Sequence, residues 1–373
     1  MKTKLVKVDL QDEAKITAAA KVLDKGGLVA FPTETVYGIG CAARREAIAG
    51  LNAVKERFSG KRYTLHVADV DSALEYAPQM PLRGRILISK AWPGPLTAVF
   101  EISQQVLDEL SKVLDREAFE LLYTDGTIGV RCPDNRIAQR LLRSTNNPIV
   151  APSANLSGAK PATTAGEVLR QFQGKIDMVL ESSEPACKYK KSSTVVKITR
   201  NKITVLRKGV YENSEIEAMS MVKILFVCTG NTCRSPMAAA FCRKIISEKL
   251  KCDVDETEKM GYIIHSAGVM GLSGTPASRE VVKICAEKGL DVRSHQSSGI
   301  SIEEIEASDF IFVMSRSHHN SVLELCPKAA GKCKLLDGDR EISDPIGAGD
   351  KVYRSCAEQI EKALDKRINE IIT

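Results

Sequence analysis

Long hydrophobic runs are missing from this sequence, as are paired cysteines, glycine-rich phosphate loops of Walker spacing and any large excess of one charge. Without a stretch approaching the ~18 apolar residues of a membrane span, no membrane helix is expected. Met1-Lys-Thr-Lys-Leu-Val leads toward a polar helix with no apolar signal core, so no signal peptide is expected either. Eleven cysteines, an odd number without framework spacing, argue against a disulfide scaffold and for a reducing, cytoplasmic location. The net charge of +6 suits anionic substrates without demanding nucleic acid. No repeat or low-complexity tract appears. What is present, 43% apolar and 27% charged residues over 373 positions, is ordinary globular composition, enough for two or three domains.

The most informative stretch is Ile224-Leu-Phe-Val-Cys-Thr-Gly-Asn-Thr-Cys-Arg-Ser-Pro-Met237. Its four apolar residues read as a buried parallel strand running into Cys228. Ser235-Pro236 opens an amphipathic helix, with proline suited to a first turn. A strand, a short loop and a helix N-terminus converge backbone N–H groups on an anion. Gly230 and Asn231 tolerate the positive φ such a loop requires. The helix dipole and Arg234 favour the Cys228 thiolate, and Arg234 can grip two phosphoryl oxygens. Cys228 and Cys233 as a structural zinc pair lack a second pair with ligand spacing; as core cysteines they would need no partner.

The rest of the second half alternates strands and helices: strands at 262–265, 310–314 and 334–336, helices near 277–288, 317–325 and 350–371. That pattern predicts an α/β fold with a parallel, Rossmann-like sheet flanked by helices, its ligand loops at the carboxyl ends of strands. The first half predicts helices over 12–25, 45–56 and 136–143. It predicts strands over 28–31, 62–67, 127–133, 193–198 and 202–206, with others leaving Trp92-Pro-Gly-Pro-Leu-Thr97 and entering Ala151-Pro-Ser-Ala-Asn155. Residues 213–221 are polar and acidic without apolar periodicity. They read as a linker between a domain at 1–212 and another at 222–373.

Hydroxyls, cations and an amide gather at strand ends in the first half: Thr33, Thr35, Lys55, Arg57, Lys61, Thr127, Arg131, Ser153, Asn155, Thr163 and Arg207. Such groups suit a polyphosphate and a small zwitterion. Taken singly, Lys55-x-Arg57 also reads as a solvated helix end and Pro-Thr-Glu-Thr as a turn.

Together and in order, Phe31-Pro-Thr-Glu-Thr-Val-Tyr-Gly38, Lys55-x-Arg57, Pro-Gly-Pro-Leu-Thr97, Ala151-Pro-Ser-Ala-Asn-Leu-Ser-Gly158 and Ser193-Thr-Val-Val resemble the threonylcarbamoyl-AMP synthases, over roughly residues 5–210. The resemblance implies a twisted mixed-sheet α/β domain that condenses L-threonine, bicarbonate and ATP, with Mg²⁺ on the phosphates, into an adenylate for tRNA-modifying machinery. It implies ATP contacts from Lys55, Arg57, Lys61, Thr127, Asn155, Thr163 and Arg207, and threonine contacts from Thr35, His66, Arg131, Ser153 and Ser193. Lys61-Arg-Tyr63 and the lysine-rich 182–191 segment depart from the family pattern.

The Cys228–Pro236 loop resembles that of the low-molecular-weight protein phosphatases. This implies Cys228 as nucleophile, Arg234 as phosphate grip and Asp344, in Asp344-Pro-Ile-Gly347, as general acid. Thr229, Gly230, Asn231, Thr232, Cys233 and Ser235 would form or steady the loop, and the segment His265-Ser-Ala-Gly268 would support Asn231, with His265 equally readable as an ordinary strand histidine. No metal is implied for this half. Thr232 matches protein-arginine phosphatases, whereas tyrosine-specific members carry a bulky aliphatic residue there and aromatics after Asp-Pro, where this chain has Ile346. Phosphoarginine on proteins is therefore the favoured substrate and phosphotyrosine the alternative. An arsenate reductase would need further redox cysteines such as Cys326 and Cys333, and either half is also conceivable as a non-catalytic binding module.

Overall fold

The computed structural model describes residues 2–56, 62–200, 202–271 and 273–372. It divides into two units, Met1–Met219 and Ser220–Thr373. Arg57 and Lys61, expected near ATP, lie outside the described residues.

The first unit is built on a mixed sheet of β1 (Lys4–Val8), β2 (Val29–Phe31), β3 (Gly38–Ala42), β4 (Thr64–His66), β5 (Leu96–Glu101), β6 (Thr127–Arg131), β7 (Ile149–Val150), β8 (Met178–Ser182), β9 (Thr194–Ile198) and β10 (Ile203–Arg207). The strand order is β1-β8-β2-β3-β7-β4-β6-β5-β9-β10. β4 and β6 run parallel, with His66 registered on Arg131, while β5 pairs antiparallel to β6 and parallel to β9. Period-2 alternation sends neighbouring residues to separate cores. Ala30 and Cys41 join a cluster with Leu65, Leu96 and Phe100, whereas Phe31 and Ala42 join one with Ile16, Leu23 and Leu180. β3 carries glycine where a neighbouring ring crowds the strand. A Cβ on Gly40 would stand 2.8 Å from the Phe31 ring.

The second unit has four parallel strands, β11 (Val222–Cys228), β12 (Tyr262–Gly268), β13 (Phe310–Val313) and β14 (Cys333–Leu335), in the order β12-β11-β13-β14. β11 is central and almost wholly buried, as its apolar run requires. Helices Arg234–Leu250, Arg279–Glu287, Ile302–Ala307, Arg316–Leu325 and Asp350–Ile372 complete it. Cys228 ends the central strand, the position at which open α/β sheets bind ligands.

The expected linker is instead largely helix, Asn213–Ser220. Ile216 is buried and Met219 packs beside it against the first unit's core. Two apolar residues three apart are enough to dock a short helix, yet too few to register as periodicity in a polar segment. Among the described residues no helix is long and apolar enough to cross a membrane.

Candidate active sites

In the first unit, strand ends and loops surround a cleft of about 350 Å³. β2 and β3 supply Thr33 and Tyr37 from their connection, β4 gives Thr64 and His66, β5 Thr97, β6 Arg131, and the segment after β7 Ser153 and Asn155. Ser193 enters before β9, Arg207 ends β10, and Lys55 ends the helix Arg45–Lys55.

Arg131 is nearly buried and reaches Glu34 at 2.8 Å and Thr35 Oγ1 at 2.5 Å. Among the described residues Glu34 Oε2 and Arg131 Nε have no hydrogen-bond partner. His66 is buried, its Nδ1 3.1 Å from the Thr64 carbonyl. Burial, and then Arg131, push its pKa down to about 3, so the imidazole is neutral at pH 7. Ser193 Oγ lies 2.9 Å from Thr97 Oγ1 and accepts from Arg207 at 3.2 Å. The Lys55 ammonium donates to the carbonyls of Ser153 and Asn155, the latter at 2.6 Å, so it organises that loop as well as charging the cleft.

Of the expected substrate contacts, Lys55, His66, Arg131, Ser153, Asn155, Ser193 and Arg207 line this cleft. Thr35, Thr127 and Thr163 stand outside the lining. Thr35 braces Arg131, Thr127 accepts from Arg62 at 3.0 Å, and Thr163 donates to Glu167 at 3.0 Å. Sequence reasoning assigned no role to Thr97, Glu34 or Arg62. The first two sit inside the quoted motifs, which was the available signal.

In the second unit, Cys228 Sγ lies 3.0 Å from Ser235 Oγ. Asn231 adopts the left-handed conformation, φ 55°. Its side-chain amide donates to Ser235 and to Ser266, each at 2.9 Å, and its carbonyl oxygen accepts from the Ser298 N–H at 3.0 Å. The loop packs directly on β12: a Cβ on Gly268 would come within 2.8 Å of the Thr229 carbonyl oxygen, so only glycine fits there. Arg234, almost buried, donates to Thr229 Oγ1 at 3.1 Å, to the Ile342 carbonyl at 3.2 Å and to the Asp344 carboxylate. Asp344 is itself partly exposed. Thr232 is half-buried, its hydroxyl 3.7 Å from Cys233 Sγ. Cys233 also meets Tyr353 Oη at 3.4 Å, and burial pushes the tyrosine up to about 12.

Support for Asn231 comes from Ser266 and not from the neighbouring His265, which is exposed. Adjacent strand residues face opposite ways, so only one of the two can reach the loop. The histidines that do touch the loop were unmarked in the sequence. His295 Nε2 lies 2.7 Å from the Asn231 carbonyl, and His318 Nε2 2.9 Å from Thr229 Oγ1. Cys326 and Cys333 are packed in the apolar cluster around Ile311 and Val322. Burial holds the Cys333 thiol up at about 11, the behaviour of a core cysteine rather than a redox relay.

Two family models match the chain. One, the Sua5/YciO/YrdC model described as "Telomere recombination", covers residues 21–209. The other, low molecular weight phosphotyrosine protein phosphatase, covers residues 223–372. A protein-arginine-phosphatase of Geobacillus stearothermophilus is 34% identical over 40% of this chain and 97% of its own length. The chain belongs to both families. A threonylcarbamoyl-AMP synthase of Pyrococcus abyssi is 36% identical over 55% of this chain, which spans only 57% of that protein. The solved structure of P. abyssi Sua5 complexed with L-threonine matches at a TM-score of 0.51 and 20% identity, covering 97% of this chain and 98% of that one, a likeness of fold. The Sua5/YciO/YrdC unit thus carries the Arg131 cleft, and the phosphatase-family unit the Cys228 loop.

Proposed function

We propose that the chain is bifunctional, making threonylcarbamoyl-AMP in its first unit and removing phosphoryl groups from protein arginine in its second. The observation that carries the first reading is the cleft where Arg131, His66, Ser193, Arg207 and the Ser153–Asn155 loop meet. Threonine's carboxylate suits the Arg131 guanidinium, and neutral His66 can accept a hydrogen bond without adding charge. Carbamate formation from threonine and bicarbonate, then attack of the carbamate oxygen on the α-phosphorus with loss of pyrophosphate, builds negative charge that fixed cations and hydroxyls stabilise. Among the described residues no group of three His, Cys, Asp or Glu side chains is arranged to hold a metal. Magnesium would arrive as part of the nucleotide complex, held by its phosphates. The product is a reactive adenylate suited to a tRNA-modifying partner.

For the second unit, the supporting observation is the arrangement of Cys228, Arg234 and Asp344 around one loop. The thiolate attacks phosphorus while Arg234 and loop N–H groups hold the equatorial oxygens. Asp344 protonates the departing nitrogen, then takes a proton from the water that cleaves phosphocysteine. Before that, Asp344 must leave Arg234, whose donors the phosphoryl oxygens take over. Thr232 beside Cys233 and the exposed Ile346 two residues after Asp344 offer a polar, open seat. A guanidinium leaving group suits that seat better than a phenol ring does.

The test uses the full chain. Pyrophosphate should be released from ATP only when threonine and bicarbonate are both present, and orthophosphate should be released from phosphoarginine peptides without either. Pyrophosphate release indifferent to threonine removes the synthase reading.

A further inference from the structure

His318 is 3% exposed and sits in the first turn of the helix Arg316–Leu325, behind the phosphate loop. A single line of hydrogen bonds passes through it. Arg234 Nη2 donates to Thr229 Oγ1 at 3.1 Å, Thr229 Oγ1 lies 2.9 Å from His318 Nε2, and His318 Nδ1 lies 2.8 Å from Ser315 Oγ. Ser315 Oγ is in turn 2.8 Å from Ser317 Oγ and accepts from the His318 backbone N–H at 3.4 Å. A guanidinium can only donate, so Thr229 accepts from Arg234, and the same hydroxyl meets the His318 ring, either giving its proton to Nε2 or accepting a second bond from Nε2–H. In the first arrangement Nδ1–H donates to Ser315 and every donor in the line has an acceptor; in the second Ser315 donates to Nδ1. Both arrangements have a neutral ring and both hold the Thr229 hydroxyl. Burial, then the neighbouring Arg234, push the imidazole down to about 4 against the weaker opposing effects of Asp344 and Glu341.

We infer that His318 is a positioning residue for the phosphatase-family site: it fixes the Thr229 hydroxyl and, through it, the plane in which Arg234 presents its N–H groups to a phosphoryl group. The inference rests on the phosphatase reading for its purpose, though not for its test. Of Arg234's partners, Asp344 must turn to the leaving group during catalysis, while Thr229 and the Ile342 carbonyl can remain. Without His318 the Thr229 hydroxyl rotates freely and the guanidinium loses one of two fixed supports.

The experiment measures orthophosphate affinity of the full chain by calorimetry, counting the binding that Arg234→Met removes. His318→Leu should weaken it about tenfold, the loss typical of one hydrogen bond to a charged group. His318→Gln, which keeps a hydrogen-bonding amide near the Nε2 position, should recover most of that. Thr229→Val should weaken binding as His318→Leu does, and the double variant no further, because both changes cut the same line. Additive losses, or unchanged affinity in a folded His318→Leu protein, would overturn the relay. Should His318→Leu fail to fold, the Gln and Thr229→Val variants decide: unchanged affinity in Thr229→Val overturns it. Tight, relay-dependent phosphate binding without hydrolysis of any phosphopeptide would uphold the relay and defeat the phosphatase reading.

Discussion

Replacing Arg131 by methionine should destabilise the first unit by about 3–5 kcal/mol and abolish threonine-dependent pyrophosphate release. Glu34 and Arg131 form an ion pair at 2.8 Å whose side chains are 1% and 8% exposed. Removing the cation leaves a carboxylate buried without a counter-charge, the costly half of breaking such a pair. In a unit of this size the melting temperature should fall by on the order of 10 °C. Trp92, the sole tryptophan and buried in the first unit, makes its unfolding separately visible by fluorescence. Glu34→Met combined with Arg131→Met should restore most of the stability but none of the activity. Two apolar side chains can replace a buried pair in a core, whereas the cleft still lacks its cation. A single Arg131→Met variant as stable as wild type would show that Glu34 finds another partner or a proton.

The two units were not equally legible in their sequence. β11 lies parallel between two neighbours and is almost wholly buried, so it reads as an unbroken apolar run from Ile224 and its end fixes Cys228. The mixed sheet of the first unit hides its members. β1, Lys-Leu-Val-Lys-Val, mixes lysine with apolar residues without alternation at the sheet edge, with only Val8 buried, and β3 is Gly-Ile-Gly-Cys-Ala, whose glycines read as breakers although packing against Phe31 demands one of them. Motif residues at strand ends could be named because their types are chemically unusual together. His318 could not. One of two adjacent histidines on a short polar helix carries no local signal, and only β13 folding beside β11 brings it to Thr229. Within the segment His265–Gly268 the contact to Asn231 falls to Ser266, leaving His265 as an ordinary strand histidine, one of the two readings its sequence allowed, and the linker expectation failed on two apolar residues.

Thr232→Ile should reverse the substrate order of the phosphatase-family unit. The Thr232 carbonyl accepts from the Ser278 N–H at 3.0 Å, a bond that a side-chain change leaves intact, and both residues are β-branched. The loop should therefore keep its shape. What changes, on the proposed reading, is the wall met by the leaving group: a hydroxyl beside Cys233 becomes an ethyl group. That adds apolar contact for a phenol ring and removes a polar partner from a guanidinium and its attacking water. A small change of this kind in a pocket is worth about 1–3 kcal/mol of discrimination. The ratio of kcat/KM for phosphoarginine over phosphotyrosine peptides should thus fall about tenfold or more. Wild type that prefers phosphotyrosine, with a ratio unmoved by Thr232→Ile, would assign the site to tyrosine.

The most direct measurement is to assay both reactions on one preparation of full-length Cys228→Ser protein. Phosphopeptide hydrolysis should be lost entirely, since the serine hydroxyl is a far weaker nucleophile at neutral pH than a thiolate. Threonine- and bicarbonate-dependent pyrophosphate release should continue at the wild-type rate, because no residue of the Arg131 cleft belongs to the Cys228 loop. Phosphopeptide hydrolysis that survives in Cys228→Ser, or pyrophosphate release that disappears with it, would contradict two separate active sites on this chain.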